Sequence, residues 1–195
     1  MEDPFKVQHI FPTVIYTCLL QDPTIQQEMK LAVDQTSWNK VGGIDWGRTH
    51  KISTAHFDSD EVEKYNLLNF KRNMEIHLKK YLDELRMPFS DYRITSWFTR
   101  FDKGDFGMCH HHGDADISGC YYYKTNGRDG NLYFQSPNLA GDTSTYHSYH
   151  NTMFVHPPSV GKLVLFPGWL SHGITLNETE QERISFSFNI FFNRK

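Results

Sequence analysis

A chain of 195 residues with 38% hydrophobic and 15% aromatic side chains holds enough apolar material for one folded core, which excludes a disordered segment. Its formal charge of −3, with no run of Lys or Arg, excludes the basic coat by which many proteins grip nucleic acid. Three cysteines without CxxC spacing (Cys18, Cys109 and Cys120) argue against a zinc ribbon or a disulfide framework.

With no signal-peptide pattern or long apolar run in the sequence, these thiols predict a reducing, cytoplasmic setting and no membrane partner. No repeat or long linker divides the chain, so one domain is expected over residues 1–195.

The segment 9-HIFPTVIYTCLL-20 clusters β-branched and aromatic residues and reads as a first strand. Asp22 and Pro23 then form an N-cap and first helical position, and Ile25, Met29, Ala32, Val33 and Thr36 keep a helical period. The Gly-rich loop 38-WNKVGGIDWG-47 leads to a second, longer helix opening near Ser59. Asp60 and Glu61 sit in its first turn, and Phe70, Met74, Leu78, Tyr81, Leu82 and Leu85 form its apolar face.

From Tyr92 the helical period disappears. Strands are expected at 93-RITSWFTRF-101, 117-ISGCYYYK-124, 131-NLYFQS-136, 152-TMFVH-156, 162-KLVLFP-167 and 183-RISFSFNIFF-192. Residues 1–90 thus supply strand and helical support, and residues 91–195 an all-β core with a site at the mouth of a sandwich or barrel. The polar stretch 138-NLAGDTSTYHSYHN-151 reads as a solvated loop, with a lid over the substrate as its functional alternative.

Eleven histidines make any single one weak evidence, but 107-GMCHHHGDAD-116 concentrates three of them with two aspartates. A redox-active iron site needs two neutral imidazoles and one carboxylate on one face of the metal, and a strand delivers two such ligands at i and i+2. Two registers meet that spacing: His110 with His112, and His112 with Asp114. A distal ligand is available at His172, just past an apolar strand. In the last strand Arg183, Ser185, Ser187 and Asn189 share one face, where Arg183 and Ser185 make a clamp for a carboxylate.

The order HxD, distal His and RxS, together with 117-ISGCYYY-123, 156-HPPSVGKLVLFPGWLSH-172 and 182-ERISFSFN-189, resembles the iron(II)- and 2-oxoglutarate-dependent dioxygenases, and within them a little-characterised branch. The resemblance implies an α+β, mainly β fold: a double-stranded β-helix, or jelly-roll, with N-terminal helices packed outside. It implies Fe(II) held by His112, Asp114 and His172, and 2-oxoglutarate held by Arg183 and Ser185 with Tyr122. Strict alternation from His112 and Asp114 selects Tyr122 over Tyr121 and Tyr123. It also implies that dioxygen and 2-oxoglutarate are consumed, with succinate and CO2 released and a substrate hydroxylated. A peptidyl side chain is favoured over a small molecule by likeness of motif order to prolyl hydroxylases. Where the family carries an Asn-bearing strand before the metal motif, Thr99 or Arg100 takes the polar role.

Two rivals stand beside this reading. A cupin-type metal enzyme without 2-oxoglutarate would use His110, His112, Asp116 and His172. A non-catalytic jelly-roll would use none of them. In neither case is an oligomeric state legible.

Overall fold

A computed structural model describes residues 12–40, 50–54, 58–138 and 152–193. The lid candidate at 138–151 therefore lies, except for Asn138, outside the described residues, as do His9, His56, His147 and His150.

After β1 (Tyr16–Leu19), helix α1 (Pro23–Gln35) starts where Asp22 accepts a hydrogen bond from the Thr24 N–H at 2.9 Å, with Pro23 behind it. It buries Ile25, Met29 and Ala32, one stripe of the helix. Two short strands, β2 (Asn39–Lys40) and β3 (Lys51–Ile52), follow.

The expected second helix is two helices: α2 (Glu61–Lys64) and α3 (Leu68–Glu84). The break falls at Asn66, whose φ of 55 is left-handed, a region Asn tolerates better than most side chains. Leu67, at the N-cap of α3, has no capping side chain. Glu28 of α1 fills that role from another helix, accepting from the backbone N–H of Asn69 at 2.9 Å and of Phe70 at 3.0 Å. No local signal announces a cap supplied from 41 residues away.

The remaining strands are β4 (Tyr92–Phe101), β5 (Gly107–His110), β6 (Ile117–Lys124), β7 (Leu132–Gln135), β8 (Met153–His156), β9 (Lys162–Pro167), β10 (His172–Ile174) and β11 (Arg183–Phe192). They form a seven-stranded sheet in the order β1-β9-β6-β11-β4-β3-β2 and a four-stranded sheet in the order β5-β10-β7-β8. Two buried clusters follow from strand alternation. Ile184, Phe186, Phe188 and Ile190 of β11, with Tyr121 and Leu163, face Phe70, Met74 and Leu78 of α3. Cys120, Tyr122, Val164 and Phe166 of the large sheet share the second cluster with Leu132 and Phe134 of the small one.

The architecture is the expected mainly β double-stranded β-helix with helices against the outer face of the large sheet. Among the described residues, no helix is long and apolar enough to cross a membrane.

Candidate active site

The small sheet brings two histidines together by register: His110, the last residue of β5, lies opposite His172, the first of β10. His112 follows two residues beyond β5, on a loop pinned to the β9–β10 turn. Its N–H donates to the Gly168 carbonyl at 2.9 Å, and the Gly168 N–H donates to the Asp116 carbonyl at 3.2 Å. A Cβ at Gly168 would stand 2.1 Å from the Ala115 carbonyl oxygen, so this approach requires glycine.

The result is a cluster of His110, His112 and His172 whose ligand atoms all lie within 4.8 Å of one another. Nε2 of His112 and Nε2 of His172 are 3.2 Å apart. Two nitrogens each about 2.1 Å from one metal and at right angles to each other are separated by about 3 Å, so this pair already has ligand spacing.

Tautomers are set by the backbone. Nδ1 of His172 lies 2.8 Å from the Leu170 carbonyl and Nδ1 of His110 lies 2.8 Å from the Met108 carbonyl. A carbonyl only accepts, so each Nδ1 carries the proton and each Nε2 presents a lone pair. Burial, reinforced by the neighbouring imidazoles, pushes His112 down to about 2 and His172 down to about 4, and burial also lowers His110. All three rings are therefore neutral near pH 7 and able to act as metal ligands. Phe166 and Phe134 flank the His172 ring at 4.7 and 6.3 Å, and Trp97 lies along His112 at 5.8 Å with an interplanar angle of 19°.

Asp114 is not a member of the cluster. It is exposed in the turn closed by the Ala115 N–H to His112 carbonyl bond, where Gly113 has φ 60. With Trp169, which is half exposed, it lines a cleft that also takes in Pro12, Val14 and Leu85. Asp116, the acidic residue of the cupin-type register, also lies outside the cluster and accepts from the Phe192 N–H at 2.8 Å.

The residues expected to clamp a carboxylate converge on the inner face of the large sheet. Arg183 is fully buried, and none of its three guanidinium nitrogens has a hydrogen-bond partner. Ser185 lies opposite Tyr122 in register, and the Tyr122 hydroxyl is likewise buried without a partner; burial raises its pKa. Tyr121 belongs to the opposite face, packed edge-on to Phe70 at 5.5 Å. The division of the tyrosine run by strand alternation thus matches the expectation.

Of the two residues offered for the polar role on β4, Thr99 faces inward and shares a 2.8 Å hydrogen bond with the Ser185 hydroxyl. Arg100 faces out to Asp102 and Glu182. Phe101, Phe134 and Phe166 were not predicted at the site. Their cross-strand neighbours place them there, and no sequence signal separates them from other core aromatics.

Residues 95–189 match the family model described as "Putative 2OG-Fe(II) oxygenase". Among curated proteins, none matches the chain in sequence. Solved structures share the fold. A Pseudomonas putida prolyl-4-hydroxylase superposes with a TM-score of 0.64 at 13% identity, covering 93% of this chain and 94% of its own. HygX from Streptomyces hygroscopicus, with nickel, 2-oxoglutarate and hygromycin B bound, gives 0.63 at 12% identity, covering 93% and 84%. A 2OG-Fe(II) oxygenase family oxidoreductase from Burkholderia pseudomallei gives 0.62 at 14%, covering 92% and 88%.

Proposed function

We propose, on the premise that this chain belongs to the 2OG-Fe(II) oxygenases through the core it carries over residues 95–189, that it hydroxylates an organic substrate using iron(II) and 2-oxoglutarate. The observation that carries this reading is Arg183: a fully buried cation with unbonded donors, on the face that shares its core with the aromatics around His172. Such a guanidinium takes a carboxylate in two parallel hydrogen bonds, and the far carboxylate of 2-oxoglutarate fits that need. The hydroxyls of Ser185 and Tyr122 add polar contacts, with Thr99 orienting Ser185.

We assign the metal to His112 and His172 and give the third position to His110. His110 already lies within ligand reach of the other two, whereas Asp114, the carboxylate of the HxD register, is exposed in its turn. Three neutral imidazoles would hold the metal, and the bound metal would take up the co-substrate. Bound iron and 2-oxoglutarate supply the oxidising power, with succinate and CO2 as co-products. The chain contributes placement and exclusion of water, through Phe134 and Phe166 about His172 and through the tautomers fixed by Leu170 and Met108.

An anaerobic titration tests the reading. Wild type should bind 2-oxoglutarate only with Fe(II) present, and His172→Ala and Arg183→Ala should each abolish that binding. Binding that is independent of iron, or unchanged in both variants, sinks it. For the third ligand, His110→Ala should lower metal affinity by at least about 100-fold, the upper end of what is lost with a group that merely orients a ligand, while Asp114→Ala stays near wild type. The reverse result would restore the HxD set.

The three-histidine cluster also suits a metal enzyme without 2-oxoglutarate. Metal binding with no response to 2-oxoglutarate would select that reading. For the primary substrate we favour a peptidyl side chain, on motif order and the shared fold of a prolyl-4-hydroxylase. Succinate release screened against peptide and metabolite pools, with mass spectrometry for products gaining one oxygen, decides between the two classes.

A further inference from the structure

The environment of Arg183 is unusual in a way the carboxylate clamp alone does not require. β11 lies between β4 and β6, and each neighbour places an aromatic ring beside the guanidinium: Phe101 at 5.1 Å and Tyr122 at 5.0 Å from Cζ to ring centroid. The Phe101 ring is itself stacked on His50, centroids 4.7 Å apart and planes 8° from parallel. His50, Phe101, Arg183 and Tyr122 thus form a buried series of flat groups.

The nearest carboxylates in sequence are drawn elsewhere. Glu182 pairs with Arg100 at 2.8 Å and Lys124 at 2.7 Å, and Asp102 pairs with Arg100 and Lys51. A buried cation without a counter-ion is costly unless something else stabilises it. The electron-rich faces of two rings do so in part, without occupying a single N–H.

We propose that Phe101 is a positioning residue for the co-substrate: with Tyr122 it holds the Arg183 guanidinium as a buried, counter-ion-free cation with its N–H donors unspent, so that the incoming carboxylate becomes its charge partner. This rests on the 2-oxoglutarate reading above. The rings leave every guanidinium N–H free, and a planar carboxylate bound by two donors uses them better than a monodentate group. His50 acts one layer further out by fixing the tilt of Phe101.

The test is a comparison of Phe101→Leu, Phe101→Tyr and His50→Leu in the full chain loaded with Fe(II). Phe101→Leu keeps an apolar side chain but removes the ring face. It should weaken 2-oxoglutarate binding about tenfold and raise its KM to match, while kcat at saturating 2-oxoglutarate and Fe(II) affinity stay near wild type. Phe101→Tyr, which keeps the ring, should restore affinity to within about twofold. His50→Leu should weaken binding about two- to threefold.

A double-mutant comparison adds a readout that simple packing would not move. In an Arg183→Met background, the thermal shift caused by Phe101→Leu should be smaller than in wild type, because the cation that needs the ring is gone. Wild-type co-substrate affinity in Phe101→Leu, or a parallel loss of kcat, metal affinity and co-substrate affinity, overturns the proposal while leaving the clamp reading intact. If wild type fails to bind 2-oxoglutarate with Fe(II) present, the underlying reading fails and the inference falls with it.

Discussion

Arg183 and the three histidines show how single side chains at this site are held in states that water would not favour. Arg183 is fully buried and its guanidinium nitrogens have no hydrogen-bond partner among the described residues, a costly setting for a cation. Arg183→Met should therefore raise the melting temperature of the ligand-free protein, by about 1–4 kcal/mol in stability, while removing 2-oxoglutarate binding. A calorimetric scan with and without co-substrate checks both halves. The histidines carry a second burden. In the metal-free chain, burial holds His172 at about 4 against an ordinary 6.5, and His112 lower still. As pH falls below about 6.5 the unfolded chain takes up protons on these rings and the folded chain does not. The stability of the metal-free protein is thus complete above that pH and falls as pH drops toward 4. Melting scans at pH 7 and pH 5 should show the lower midpoint at pH 5. At this scale the sequence was informative in part: of His112, Asp114, His172, Arg183, Ser185 and Tyr122, all named from spacing and resemblance, each but Asp114 lies where it faces the inter-sheet core or the histidine cluster, and Asp114 is exposed in its turn. His110 was named too, but only as one of two registers.

Between elements, close backbone approach sets the site. Gly168 lets the 112–116 loop lie against the β9–β10 turn through two reciprocal backbone bonds, and an added Cβ would meet backbone rather than a movable side chain. Gly168→Ala should displace His112 and lower metal affinity at least tenfold, measured by Fe(II) titration, with the β content kept in circular dichroism. Gly119 plays a packing role on the outer face: a Cβ there would stand 2.2 Å from the Phe188 ring. Gly119→Ala should destabilise the fold by about 1–3 kcal/mol through overpacking, read in denaturant unfolding, with less effect on ligand affinity than Gly168→Ala. The split between α2 and α3 belongs here as well. A helical period runs through both segments, so the sequence read them as one. The left-handed Asn66 and the cap that Glu28 lends from α1 are products of the assembled helices. Strands β5 and β10 were missed for a related reason: each is short, and their pairing across His110 and His172 supplies what four and three residues do not signal alone.

Across the whole molecule, β11 joins the structural and chemical halves. One of its faces packs Phe186 and Phe188 on Phe70, at 5.1 and 5.8 Å, and the other carries the buried Arg183 and Ser185. Phe70→Ala should cost about 3–5 kcal/mol, and because the lost contacts lie behind β11 it should loosen co-substrate binding as well as the fold. Unfolding and 2-oxoglutarate titrations on the same variant check this. By itself the sequence determined the class of the fold, the alternation of β11 and the division of Tyr121 from Tyr122. These rest on period and residue chemistry, which a linear string carries. Tertiary structure alone decided that His110, His112 and His172 stand together, that Thr99 rather than Arg100 turns inward, and that Phe101 stands beside Arg183. Each of those depends on which strands become neighbours and on how a loop bends after its last paired residue, and neither distance is encoded in local spacing.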